Sequence, residues 1–313
     1  MVTGPPTDDH VAAFCRALGL PGLVDAHVHF MPPQVEAKVW AYFDEGGPLL
    51  RRRWPIRYRW SPDARLAHLR ALGVRAFPTL VYAHKPGMAQ WLNDWAAGFA
   101  DEQRAGGHWD VVDTATFFPE PGVDAYVAQA LDRGVRIFKV HVQVGGFDPR
   151  DPLLEPVWGM LSDAGVPAVV HTGSGPAPGA FTGPGPFAEV LDRHPGLTAV
   201  IAHLGMPEYD EFLTLAERHE RVHLDTTMCF VDFFGGAGPQ TTLARSLAPR
   251  LKALQDKVVL GTDFPNIPYP YAHQLEALTR TGLDDDWLRA VCWDNGARLL
   301  GVTAESGTAA TRR

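Results

Sequence analysis

Short runs rich in Val, Ile, Thr or Phe recur along the chain, and most are apolar almost throughout. Eight such runs stand out: Leu23–His29, Val74–Val81, Val111–Phe118, Val135–Val142, Val166–His171, Thr198–His203, Val222–Thr226 and Val258–Asp263. A continuous apolar run of this length reads as a strand covered on both faces. Helix-period segments lie between them. Ser61–Leu72 opens on a Ser-Pro cap and stops before Gly73, and Met88–Arg104 repeats apolar residues at Met88, Trp91, Leu92, Trp95, Ala96 and Phe99. Gly122–Asp132, Pro152–Asp163, Phe187–Arg193, Pro207–Arg218, Thr241–Gln255, Tyr271–Arg280 and Asp284–Leu300 complete the expected helices. Parallel strands need a crossover and a helix supplies it. Eight strands alternating with helices therefore predict an α/β fold, a (β/α)8 TIM barrel, in preference to a doubly wound sheet.

The expected organisation is one barrel domain over residues 1–313, with its core at about 23–301 and a frayed polar tail at 303–313. Three connections are longer than a barrel needs: Met31–Trp60, Thr172–Pro186 and Met228–Gly238. The first carries five arginines between Arg51 and Arg59, with Trp54, Tyr58 and Trp60 among them. The second is rich in Gly and Pro and suggests a mobile lid. The third carries Phe230, Phe233 and Phe234, which would line a pocket or anchor the loop. Loops at strand C-termini are where such barrels build their sites.

The chain has 313 residues, 46% of them hydrophobic and 20% charged, with a formal net charge of −8. That composition supports a large core and excludes extended disorder. A negative surface argues against nucleic-acid binding, and no apolar run approaches the ~20 residues of a membrane span. Residues Met1 to Asp9 show no secretory signal. Cys15, Cys229 and Cys292 are isolated and odd in number, as in a reduced, cytoplasmic protein.

The chemistry concentrates where the apolar runs end. In Asp25-Ala26-His27-Val28-His29, residues two apart share a strand face. His27 and His29 can therefore enter one mouth of a barrel while Ala26 and Val28 pack outward, and two imidazoles so placed suit a borderline metal such as Zn²⁺. His171, His203 and Asp263 end three further runs. Five potential ligands or proton carriers at one rim are hard to explain as core packing.

With those residues in place, the sequence resembles the amidohydrolase superfamily. The resemblance rests on Asp25-x-His27-x-His29, His171, His203 in Ala202-His203-Leu204-Gly205, and Asp263 in Gly261-Thr262-Asp263-Phe264-Pro265, and it spans about Leu23 to Gly301. It is closest to the branch that includes aminocarboxymuconate-semialdehyde decarboxylase and aromatic acid decarboxylases. The resemblance implies a divalent metal held by His27, His29, His171 and Asp263, with an open position for water and His203 as a catalytic or outer residue. One Zn²⁺ is the expected ion, with Mn²⁺ or another divalent ion as the alternative. Binuclear members carry a bridging carboxylated lysine or a glutamate at the fourth strand. Here Lys139 lies in that strand on the same face as His141, so a second ion stays open, as does an ion pair between Lys139 and a carboxylate such as Asp25.

A site of three imidazoles and one carboxylate keeps a positive charge and would bring a coordinated water's pKa toward ~7. The resulting hydroxide would attack the carbonyl of a small amide, ester or lactone, with Asp263 moving the proton and His203 holding the carbonyl oxygen or carrying a proton. A nonoxidative decarboxylase of a small unsaturated or aromatic acid is the alternative on the same ligands. Arg51, Lys139 and His141 are candidate substrate contacts; an arginine among aromatics suits a carboxylate on a flat substrate, or equally a solvated loop. A small-molecule substrate is the expected partner, and a homodimer the default assembly.

Overall fold

The protein is described here by a computed structural model covering residues 1–45, 53–108, 110–234 and 240–303. Nine short strands run through it: β1 (Leu23–Val24), β2 (Val74–Pro78), β3 (Val111–Val112), β4 (Thr114–Thr116), β5 (Ile137–His141), β6 (Ala168–His171), β7 (Ala199–Ile201), β8 (Val222–Asp225) and β9 (Val258–Val259). Every expected run contains one of them. The third run is split at Asp113, whose carboxylate receives both Nη1 and Nη2 of Arg104 at 2.9 Å while its carbonyl accepts from Arg136 N. The polar tail from residue 304 onward lies outside the described residues, as do Arg51 and Arg52.

The chain divides into two compact units, one formed by residues 1–29, 36–77 and 226–313 and the other by residues 30–35 and 78–225. In the second unit, β4 to β8 lie side by side, all parallel. The register aligns Thr116 with Lys139, Lys139 with Val169, Val169 with Val200, and Val200 with His223. Ala168, Val169, Val170, Val200, Ile201 and Phe138 are each 0% exposed, which explains the unbroken apolar reading of these runs. Helices Ala89–Ala105, Val123–Asp132, Glu155–Ala164, Pro184–Arg193 and Tyr209–Arg218 supply the crossovers.

In the first unit, β1 pairs in parallel with β2, Leu23 opposite Val74. The segment after β1 pairs in parallel with residues 260–264: Ala26 N donates to Leu260 O at 2.8 Å, His29 N to Phe264 O at 2.7 Å, and Asp263 N to His27 O at 2.8 Å. Helix Pro62–Leu72 starts on the expected cap, with Ser61 Oγ accepting from Ala64 N, and ends at Gly73 with φ 89°. Asp284–Leu300 is helical as expected, with a π-helical turn at Ala290–Asp294.

Among the described residues, two helices of seven residues or more escaped the sequence reading. Val11–Ala17 precedes the first strand, and Pro33–Asp44 occupies much of the connection expected to be a loop. No residue of the latter helix is fully buried, so it carries no apolar stripe to read. Tertiary bonds hold it instead. Glu36 takes a bidentate ion pair from the buried Arg65, Asp44 one from Arg59, and Trp40 Nε1 donates to Asn266 Oδ1 at 3.1 Å. Among the described residues, no helix is long and apolar enough to cross a membrane. Cys15, Cys229 and Cys292 are free and buried; desolvation pushes the Cys15 thiol up to about 11.

Asp8 ties the N-terminus into this unit. Its Oδ2 accepts from Tyr58 OH at 2.5 Å and pairs with His68 Nε2 at 3.1 Å, and its Oδ1 accepts from Ala272 N at 2.9 Å. Burial raises its pKa, but the bonds from His68, Ala272 and Tyr58 outweigh that and hold it below the usual carboxylate range. Asp8→Asn is therefore expected to cost about 1.5–3 kcal/mol at neutral pH, measured by urea unfolding. A depressed folded pKa contributes stability above the unfolded value, so the gap between the two proteins should be full above about pH 5 and close as the pH falls below about 4.

Candidate metal centre

His27 and His29 sit two apart on an extended segment, on the same face, and the neighbouring Ala26 and Val28 are both 0% exposed. The segment is fixed by its backbone pairing with residues 260–264 and by the buried carboxylate of Asp25. Asp25 Oδ1 accepts from His27 N at 3.1 Å; Oδ2 accepts from Thr262 Oγ1 at 2.6 Å and Tyr271 OH at 3.0 Å. Burial, then the charge of Asp25, pushes the Tyr271 phenol well above its ordinary pKa and keeps it a donor. Thr262 Oγ1 also accepts from Phe264 N, so one hydroxyl braces the turn around Asp263 from both sides.

Asp263 itself has φ 69°, left-handed backbone that is uncommon for a non-glycine residue. That conformation, with Asn266 N donating to its carbonyl, turns its carboxylate toward the imidazoles. Asp263 Oδ1 lies 2.8 Å from His29 Nε2 and 3.4 Å from His27 Nε2, and one ligating atom from each of the three residues falls within 4.8 Å of the others. The two rings meet edge to face, with centroids 5.1 Å apart. Two buried imidazole nitrogens and the oxygen of a partly exposed carboxylate converge, a donor set that fits a divalent cation such as zinc.

The second unit gathers its own histidines. His141 and His171 are register partners at the ends of β5 and β6, and their rings stack at 3.9 Å and 13°. His203, just past β7, lies 4.6 Å from His171 by ring centroid. His171 Nε2 is 3.1 Å from the Gly175 carbonyl oxygen. A carbonyl only accepts, so Nε2 carries the proton and Nδ1 keeps the lone pair a metal would use. His141 Nδ1 accepts from Val144 N at 3.3 Å. Lys139 is 1% exposed in β5.

His203 and Leu204 are left-handed, at φ 58° and 52°, followed by Gly205 at 74°. Three such residues in a row cost energy, and the surroundings enforce them. Asp225 Oδ1 accepts from His203 N at 2.8 Å, a Cβ on Gly205 would meet the Phe212 ring at 2.0 Å, and Gly173, from the loop after β6, packs so closely that its own Cβ would meet the Gly205 carbonyl carbon at 2.7 Å.

The structure thus brings together His27, His29 and Asp263 in one unit, and His141, His171 and His203 in the other. Arg51 lies outside the described residues. Its aromatic neighbours act as anchors: Trp54 Nε1 donates to Asn266 O at 2.6 Å, and Tyr58 OH binds Asp8 and receives Tyr271 N at 2.6 Å. The sequence reading passed over Tyr271, Asn266 and Asp225. Asp225 carried a usable signal, a carboxylate inside the run Val222–Thr226 one place from its end; Tyr271 and Asn266 carried none.

The model of the family described as Amidohydrolase matches residues 24–302, and the chain belongs to that family. No curated protein matches it. Among solved structures it is similar to an uncharacterised TIM-barrel protein from Bordetella bronchiseptica, 19% identical with a TM-score of 0.65, covering 90% of this chain and 98% of that one. It is also similar to an amidohydrolase from Burkholderia multivorans with bound zinc, at 16% identity and a TM-score of 0.63, covering 90% and 100%. A third is 5-carboxyvanillate decarboxylase LigW from Sphingomonas paucimobilis, at 15% identity and 0.61, covering 90% and 99%. The fold class is α/β of the TIM-barrel type, as the alternation of strands and helices predicts.

Asp225→Ala removes the acceptor of a buried backbone N–H in the strained His203 turn. It is expected to destabilise the protein by about 1–3 kcal/mol in urea unfolding, with Asp225→Asn losing less than half of that because an amide oxygen can still accept.

Proposed function

We propose that the protein is a metal-dependent hydrolase of a small carbonyl compound, an amide, ester or lactone. The observation that carries the reading is the convergence of His27 Nε2 and His29 Nε2 on one oxygen of Asp263. His27, His29 and Asp263 would hold the ion. A divalent cation there supplies Lewis acidity to a substrate oxygen and acidifies a water.

The chain's own residues do the rest. Asp263, 15% exposed where both imidazoles are almost fully buried, is the carboxylate with access to solvent; it takes the proton of the attacking water and returns it to the leaving group. His203 donates to the carbonyl oxygen as charge develops on it, and the Asp225 bond keeps its backbone in the one conformation that presents the ring. Asp25 serves the site by position: its bonds with His27 N, Thr262 Oγ1 and Tyr271 OH hold the His27 segment against the Thr262 turn. A decarboxylase reading uses the same residues, with Asp263 or His203 delivering a proton to carbon. The three free, buried cysteines support a reducing compartment, the cytoplasm.

Zinc-loaded protein screened against esters, lactones and aromatic carboxylic acids is expected to turn over the first two classes with uptake of water; release of CO2 instead would select the decarboxylase. Asp263→Asn should lower kcat by about 10²–10⁴-fold at matched metal content. Turnover within about threefold of the wild type would reject Asp263 as the proton carrier.

A further inference from the structure

Helix Tyr271–Thr279 begins directly after Pro270, whose side chain offers no acceptor to cap it. Distant parts of the chain meet its leading N–H groups instead. Tyr271 N donates to Tyr58 OH at 2.6 Å and Ala272 N to Asp8 Oδ1 at 2.9 Å, while His273 N reaches Pro270 O at 2.9 Å. The Tyr58 hydroxyl has one proton, which goes to Asp8 Oδ2 at 2.5 Å and leaves a lone pair for Tyr271 N. The carboxylate of Asp8 also suits the positive end of a helix. Asp8 and Tyr58 thus form a cap in two pieces, supplied from 264 and 213 positions away in the chain.

The residue so capped is the one that holds Asp25. Tyr271 is the first residue of the helix, where fraying begins, and its hydroxyl donates to Asp25 Oδ2 at 3.0 Å. Asp25 in turn accepts from His27 N and from Thr262 Oγ1, one bond on each side of the pairing that sets His27 and His29 beside Asp263. The contacts therefore run from Asp8 through Tyr58, Tyr271 and Asp25 to His27, every member within one compact unit. Packing leaves this path little slack. Tyr58, Phe264 and Tyr271 are 0% exposed, and the Phe264 ring lies 4.7 Å from that of Tyr58 and 6.3 Å from that of Tyr271 by centroid. The far end is anchored as well. Val2 N donates to Asp285 Oδ1 at 2.7 Å, and Gly4 crosses helix Tyr271–Thr279 so closely that a Cβ would meet Glu276 Cα at 2.6 Å.

We propose that Asp8 and Tyr58 are positioning residues of the candidate metal centre: by capping helix Tyr271–Thr279 they hold the Tyr271 hydroxyl on Asp25, and so fix the backbone that presents His27 to a divalent ion. The assignment rests on the metal-centre reading and extends the support of that centre to the N-terminal segment. Partners that orient metal ligands from outside set metal affinity. A cap that served stability alone would leave the zinc affinity of the folded protein unchanged.

The test measures zinc dissociation constants by competition with a chromophoric chelator, on full-length protein shown by circular dichroism to be folded. Tyr271→Phe is expected to weaken zinc binding about tenfold, and Asp8→Ala and Tyr58→Phe about fivefold each. Tyr58→Phe keeps the ring and removes only the hydroxyl, so it carries the test if Asp8→Ala fails to fold. Tyr58→Phe and Tyr271→Phe combined should fall within about twofold of Tyr271→Phe alone, because the Tyr58 hydroxyl acts through Tyr271. Val127→Ala, a buried truncation in helix Val123–Asp132 of the other unit, controls for destabilisation alone and should bind zinc as the wild type does. An affinity within about twofold of the wild type in Asp8→Ala or Tyr58→Phe, an equal loss in Val127→Ala, or additive losses in the double variant would overturn the assignment. A wild type that binds no zinc defeats the metal-centre reading and this assignment with it; a wild type that binds zinc beside unaffected variants defeats this assignment alone.

Discussion

The parallel pairing of residues 25–29 with residues 260–264 is the constraint on which the candidate site depends. It joins Asp25 to Thr262, 237 positions apart in the chain, and sets His27 and His29 beside Asp263. Backbone bonds alone would fix the register, but not the side-chain directions. Those come from the strand period for the imidazoles and from the left-handed Asp263 for the carboxylate. Asp25 locks the two segments together, because a buried carboxylate is tolerated only with its lone pairs engaged, and its partners come from both sides of the pairing.

Part of the backbone strain lies at candidate site residues. Among the described residues six non-glycine positions have positive φ, and Asp263, His203 and Leu204 are three of them, each unfavourable by about 1–3 kcal/mol. At His203 the enforcement is visible as the Asp225 bond and the clearance that only glycine allows at Gly205.

Much of this was legible in the sequence, for definite reasons. Strands covered on both faces read as apolar runs, so all eight were visible, and the polar residue closing each run marked His171, His203 and Asp263. The Ser61-Pro62 cap and the Gly73 stop bounded their helix because capping is local chemistry. What stayed hidden is non-local. Helix Pro33–Asp44 is held by Arg65, Arg59 and Asn266 across the fold, and its own residues bury no stripe. Trp54 and Tyr58 were read as candidate neighbours of a substrate, yet they bond to Asn266 and Asp8, partners no spacing rule identifies.

X-ray absorption at the zinc edge, on protein reconstituted with zinc, tests the central claim most directly. The account predicts a nitrogen and oxygen shell at about 2.0–2.1 Å with imidazole outer-shell scattering, reduced in His27→Ala and in His29→Ala. A sulfur-dominated shell, or a spectrum that neither substitution changes, would contradict it.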